Sequence, residues 1–289
     1  MKTDTLQRRL VALTFLLPLL WILGFMLLPY SIILVYSFWQ QEFPSFVPDF
    51  QIGNYVKLFV EPQFVTVILS SAFTATMVSV AALILAFPFA YYLVFKVKSA
   101  RVRMAMYIAV IAPLWVSYLL RAYTWKTILG SEGILNSALV WSGLLDGPTD
   151  VFLYNRFAMV LTMTYIFIPF MVMPIYTALE KIPRNLIEAS ADLGVRPLAT
   201  FARVIWPLAI PGVLAGATFT FCLSLGDFIA PILVGGADGM MIANLITSQF
   251  GTALNWPLGS ALSMFLLFIV LIIIELSNRA APADRIALG

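Results

Sequence analysis

Six long apolar stretches run through the chain, at Leu10–Phe38, Phe64–Phe95, Met104–Leu129, Phe157–Leu179, Leu208–Val234 and Leu258–Leu276. Each is long enough to cross a hydrocarbon core of about 30 Å as a helix rising roughly 1.5 Å per residue. Only 11% of the 289 residues are charged, against about 25% in an ordinary soluble domain. A water-soluble enzyme is excluded, because one domain cannot hide that much apolar surface except by facing lipid. Inside lipid every backbone polar group must bond within its own segment or sheet, so apolar stretches of this length are expected as helices. The expectation is an all-α membrane protein with six transmembrane helices. A single transmembrane domain would occupy 10–277, between a short N-terminal segment 1–9 and a disordered tail 278–289. The first apolar stretch follows Lys2, Arg8 and Arg9, as a signal peptide would. It far exceeds an h-region of about 7–15 residues and lacks a small-x-small cleavage site, so it reads as retained.

Six crossings put both termini on one side, and the basic residues choose the side. Of the 17 Lys and Arg, all but Lys57, Arg156, Arg121 and Lys126 fall on the same face as the N-terminus. Basic loops resist translocation, so that face is expected to be cytoplasmic. The net charge of +3 is thus a topology signal and no sign of nucleic-acid binding. The longer outer loops carry aromatic and amphipathic segments, such as Ile134–Trp141, that suit short surface helices.

Whole classes of chemistry are missing. The chain has no histidine and one cysteine, Cys222, within an apolar run, which leaves no His base, His-metal site or disulfide. The phosphate loop G-x-x-x-x-G-K-[ST] is also absent. Any ATP and its Mg²⁺ would have to be bound by a partner, and no resident cofactor or metal is expected here.

One polar loop, 180–207, interrupts the apolar pattern between the fourth and fifth stretches. Pro183 near its start and Gly194 after Asp192 are helix start and stop signals. Ile182, Leu186, Ala189 and Leu193 recur at helical spacing as an apolar stripe, opposite Lys181, Arg184, Glu188 and Asp192. A second helix is expected from Pro197 to Trp206, with Pro207 ending it. Ala189, Ser190, Ala191 and Gly194 are small enough to let another protein approach the backbone, which suits a docking knob. An amphipathic helix resting on lipid headgroups fits the same periodicity.

The stretch Glu188-Ala189-Ser190-x-x-x-Gly194, nine further residues and then Val204-x-Trp206-Pro207 resembles the E-A-A-x-x-x-G loop of ABC importer permeases of the binding-protein-dependent class. Ser190 replaces the second alanine, Val204 the isoleucine and Trp206 the leucine of that pattern. Within the fifth stretch and just past it, Ser224-Leu225-Gly226-Asp227-Phe228-Ile229-Ala230-Pro231-Ile232-Leu233-Val234-Gly235-Gly236 is similar to the spermidine/putrescine-type subgroup, as is the stretch from Ser117 to Asn136, with Leu120-Arg121-Ala122-Tyr123 and Gly133-Ile134-Leu135-Asn136. The resemblance implies the type I importer permease fold. It implies that Glu188, Ala189, Ser190, Asp192 and Gly194 form a coupling helix against a cytoplasmic ATPase. It further implies two ATPase subunits, a second homologous permease, a periplasmic substrate-binding protein and an inner-membrane location, with a polyamine as solute. Other solutes of the wider family are opines, phosphonates, thiamine and ferric iron.

Asp227 is the acid embedded in an apolar run, and intramembrane carboxylates are costly enough to face a cavity or a partner. Gly226 and Pro231 weaken the helix around it. It is a candidate for a cation pathway, with pairing to a helix end or to Arg121 as the alternative. Arg121 and Tyr123 join it as pathway candidates, although Tyr123 also fits an interfacial aromatic. Gly212-x-x-x-Gly216 opens the fifth stretch with two side-chain-free positions on one face, a spacing that permits close helix packing. An ion-coupled transporter acting alone would use Asp227 as its coupling site, but six spans without an inverted repeat argue against it. A membrane-embedded enzyme lacks an evident catalytic group.

Overall fold

The computed structural model describes residues 14–42 and 45–280. The N-terminal segment 1–9, the start of the first apolar stretch and residues 281–289 of the tail lie outside the described residues. In chain order the elements are α1 (Thr14–Ser37), a hairpin of β1 (Gln40–Glu42) and β2 (Ser45–Val47), α2 (Gly53–Val60), α3 (Pro62–Phe95), α4 (Ala100–Ile111), α5 (Tyr118–Leu129), α6 (Ile134–Trp141), α7 (Arg156–Glu180) and α8 (Arg184–Asp192). Then come α9 (Pro197–Leu225), α10 (Ile229–Val234), α11 (Ile242–Phe250) and α12 (Trp256–Ala280). The helix α12 runs past Asn278, into the segment expected as tail.

Five of these helices, α1, α3, α7, α9 and α12, are long and apolar enough to cross a membrane unbroken. The third apolar stretch, expected as one straight crossing over Met104–Leu129, is broken instead. Between Ala100–Trp115 and Tyr118–Trp141 the path bends by 98°, and counting this pair as one span brings the number of crossings to six. The cause is local: Pro113 lies in a 3-10 turn, Ala112–Trp115, after which Val116 is extended (ψ 139°), so the helical ladder cannot continue. The fifth stretch, Leu208–Val234, is broken as well, ending at Leu225 and resuming at Ile229.

Pro207 was expected to end the second loop helix, yet α9 passes through it. A π-turn over Phe201–Ile205 comes first, with the Trp206 N–H reaching back to the Phe201 carbonyl. Proline near the start of a helical segment needs no N–H partner, and the wider turn relieves the clash its ring makes with the preceding turn. The loop helix and the fifth span are therefore one continuous rod of 29 residues.

The chain groups into two compact units, one within Met1–Phe64 and Ile246–Phe268, the other within Val65–Leu245 and Ile269–Gly289. In the first, Asn54 donates to the carbonyls of Ser37 and Trp39 at 3.0 and 2.9 Å. Phe59 meets Phe265 edge-on there, with ring centroids 5.5 Å apart. In the second, α7 packs along α9, and the Gly212/Gly216 pair explains how closely. A methyl built on Gly212 would lie 2.5 Å from the Ala178 Cβ, and one on Gly216 would lie 2.9 Å from the Met171 sulfur. Two apolar clusters fill this unit: Leu93, Ile175, Leu179, Ile182, Ile205 and Ala209 toward the loop, and Ala122, Met163, Ile166, Ala230, Leu233 and Met241 toward the break after Leu225.

Candidate functional site

The two features singled out in the sequence flank the long helix α9, one before its start and one just past its end. At the start is the polar loop. Its first helix, α8, follows the extended Pro183 (ψ 129°) and ends in a Schellman arrangement. The Gly194 N–H donates to the Ala191 carbonyl at 2.9 Å and the Val195 N–H to the Ser190 carbonyl at 3.1 Å. Gly194 adopts φ +70°, a left-handed conformation in which a side chain is strained. A Cβ there would meet nothing within 4 Å among the described residues, so the glycine is required by backbone conformation and not by crowding among them.

The apolar stripe expected on α8 is phased differently. Ile182 is buried and Ile187 packs on the cluster around it, and the half-buried Ser190 shares a 2.8 Å hydrogen bond with Thr200 of α9. Leu186, Leu193 and Leu198 point outward instead, the last two 82% and 80% exposed. The reason is that α8 is held through Ile187, which packs on that cluster, and through Ser190, three residues on and bonded to Thr200, which turns Leu186 and Leu193 away. Glu188, Ala189 and Asp192 share the exposed side, while Ser190 faces inward. The loop therefore presents bare leucines amid small and acidic residues, pinned to α9 from behind.

At the far end of α9 the helix stops at Gly226. Asp227 is only 7% exposed and Arg121 only 8%. One carboxylate oxygen of Asp227 accepts a hydrogen bond from the phenol of Tyr118, the first residue of α5. The other accepts the Ile229 N–H at 2.9 Å, which satisfies an orphan donor at the start of α10. The neighbouring Phe228 carbonyl accepts from Asn244 of α11 at 2.8 Å. Arg121 makes no ion pair with Asp227. Its Nη1 donates to the Ile166 carbonyl of α7 at 3.2 Å, its guanidinium carbon stands 5.7 Å from the centre of the Tyr118 ring, and its Nε has no hydrogen-bond partner among the described residues. Tyr118 thus stands between an acid and a base that the sequence offered as a direct pair. Tyr123 is not part of this cluster: it is 48% exposed. The sequence reading missed Tyr118 and Asn244, since the Tyr118–Asp227 bond joins residues 109 apart and no periodicity reports such a contact.

The family described as the binding-protein-dependent transport system inner membrane component matches residues 98–277. The chain belongs to this family. It is the permease type of subunit, a multi-pass inner-membrane protein, and the family role is transport. The spermidine/putrescine transport system permease protein PotB of Escherichia coli (strain K12) is 36% identical over 262 residues, covering 90% of this chain and 94% of that one. The inner membrane ABC transporter permease protein YdcU of the same organism is 36% identical over 252 residues, covering 84% of this chain and 80% of that one. Among solved structures, a bacterial alginate ABC transporter in complex with an alginate pentasaccharide-bound periplasmic protein aligns over 98% of this chain and 97% of its own, with a TM-score of 0.75 at 19% identity. A bacterial ABC transporter for import of alginate aligns over 96% and 98%, with a TM-score of 0.72 at 22% identity. These two likenesses establish the ABC importer permease fold expected from the sequence.

Proposed function

We propose that this permease imports a polyamine of the spermidine/putrescine kind, delivered by a periplasmic binding protein. The observation that carries the reading is the 36% identity to PotB across 90% of the chain. In this reading a second, homologous permease completes the pore, and two cytoplasmic ATPase subunits bind ATP and Mg²⁺ on its behalf. The loop 180–207 is the docking element: Glu188, Ala189, Asp192 and Gly194 with the exposed Leu193 and Leu198 would enter the ATPase surface, while Ser190 holds the loop to α9. Because the second loop helix and the fifth span are one rod, and α8 is tied to that rod by the Ser190–Thr200 hydrogen bond, a push on α8 would be passed to α9, giving a two-state rigid-body switch biased from both faces.

Of the three pathway candidates, Tyr123 keeps an exposed ring on which an ammonium group could rest by cation–π attraction. Asp227 has both oxygens occupied by protein donors, and Arg121 is directed at a backbone carbonyl, which favours holding roles for these two. The test is uptake of labelled spermidine and putrescine into membrane vesicles holding the whole assembly, with binding protein and ATP supplied on opposite faces. Saturable, ATP-dependent uptake is expected. Uptake of neither polyamine by an assembly that transports another solute would refute the substrate assignment.

A further inference from the structure

The fifth span and the third break at the same place, and one hydrogen bond joins the two breaks. Tyr118 is the first residue after the interruption at Val116 and Ser117, and Asp227 lies in the interruption between Leu225 and Ile229. The phenol of Tyr118 donates to the buried Asp227 carboxylate, and the Tyr118 ring packs against the apolar cluster that holds Ala122, Ile166, Ala230 and Leu233. A broken helix leaves unpaired backbone groups that are costly in hydrocarbon. Here they are met by side chains that could release them again. Asp227 takes the Ile229 N–H and Asn244 donates to the Phe228 carbonyl. On the other side of the bond, α5 is tied to α7 through Arg121 and the Ile166 carbonyl.

We infer that Tyr118 and Asp227 form a latch that makes α5 follow α9, so that a movement entering at the loop reaches the other broken span. Both are positioning residues, acting through the helices they join, and the carboxylate serves as a hydrogen-bond acceptor and not as a charge offered to solute. The inference rests on the docking reading above, since it is α9 that carries the movement. A hydrogen bond to a buried carboxylate holds two elements together roughly ten- to hundredfold more firmly than no bond. Losing it should therefore uncouple the two helices while each stays folded.

The test reads amide hydrogen exchange in the purified assembly in lipid nanodiscs, with and without Mg-ATP. In the unaltered chain, ATP is expected to change exchange in both 197–225 and 118–129. In Tyr118→Phe and in Asp227→Leu the response at 197–225 should persist, and that at 118–129 should fall roughly tenfold or more. Combining the two changes should add nothing further. Asp227→Asn keeps a carbonyl oxygen for the phenol and should retain most of the response, whereas an electrostatic role would make Asn as damaging as Leu. A response at 118–129 that survives Tyr118→Phe, or Asn behaving as Leu, overturns the latch. Failure of Tyr118→Phe to insert assigns the pair to folding and also overturns it. If ATP leaves 197–225 unchanged in the unaltered chain, the docking reading fails and the latch goes with it.

Discussion

Replacing Gly194 separates backbone strain from contact size at the loop 180–207, proposed above as the docking element. Its φ is +70°, and for a residue with a Cβ the left-handed conformation costs about 1–2 kcal/mol. An added Cβ meets nothing within 4 Å among the described residues, so no clash with them adds to that figure. No residue of α8 itself is fully buried, so the strain should be relieved by unwinding the end of α8, with loss of the Gly194-to-Ala191 and Val195-to-Ser190 hydrogen bonds. The membrane helices should be untouched. A penalty of 1–2 kcal/mol on the docking-competent loop weakens ATPase association about 5- to 30-fold. Asparagine tolerates positive φ better than alanine, and β-branched valine worse. The expected order of affinity is Gly194, then Gly194→Asn, Gly194→Ala and Gly194→Val, at equal membrane abundance. Titrating the ATPase subunit onto immobilised permease in detergent measures it, with uptake as a second readout. If Ala binds better than Asn, the partner is sensing size and the strain argument is refuted. If all four bind equally, the loop is not the docking element.

Three further outcomes follow from the same geometry. Leu193→Asp with Leu198→Asp, at positions 82% and 80% exposed, should leave insertion unchanged yet abolish retention of the ATPase on the permease; retention would show that the leucines face something else. Gly212→Val must push its side chain into the Ala178 Cβ and the Pro174 carbonyl, 2.5 and 2.6 Å from a Cβ at that site. Overpacking of this kind costs about 1–3 kcal/mol, so a lower thermal unfolding midpoint is expected in detergent, along with lower yield. Asn136 is 1% exposed, donates to the Gly130 carbonyl at 2.8 Å and accepts the Thr149 N–H at 3.0 Å. Asn136→Ala orphans both groups at about 1–3 kcal/mol, and limited proteolysis should then cut faster within 142–150.

What could be read along the chain was whatever depends on near neighbours. Apolar length dictated the crossings, because lipid leaves the backbone no partner but its own helix. Proline and glycine at their proper ends marked α8, the Gly212/Gly216 spacing marked the face that meets α7, and Ile134–Trp141 is helical as its pattern suggested. The misjudged points were those where local signals compete. Pro113 broke a span that composition alone kept whole, and Pro207 was absorbed by a π-turn, so the second loop helix and the span became one helix. The face of α8 was chosen by Ile187 packing on the apolar cluster and Ser190 bonding to Thr200 of α9, and not by its own most regular stripe. Asp227 was legible as a costly acid but its partner was not, since burial of a carboxylate requires a donor without saying which. The sequence by itself therefore determined the helices, the loop and the kind of protein, all properties of local pattern. Only the tertiary structure decided that Tyr118 faces Asp227 and that Leu193 and Leu198 face out, because those facts depend on how separate helices turn against each other when they pack.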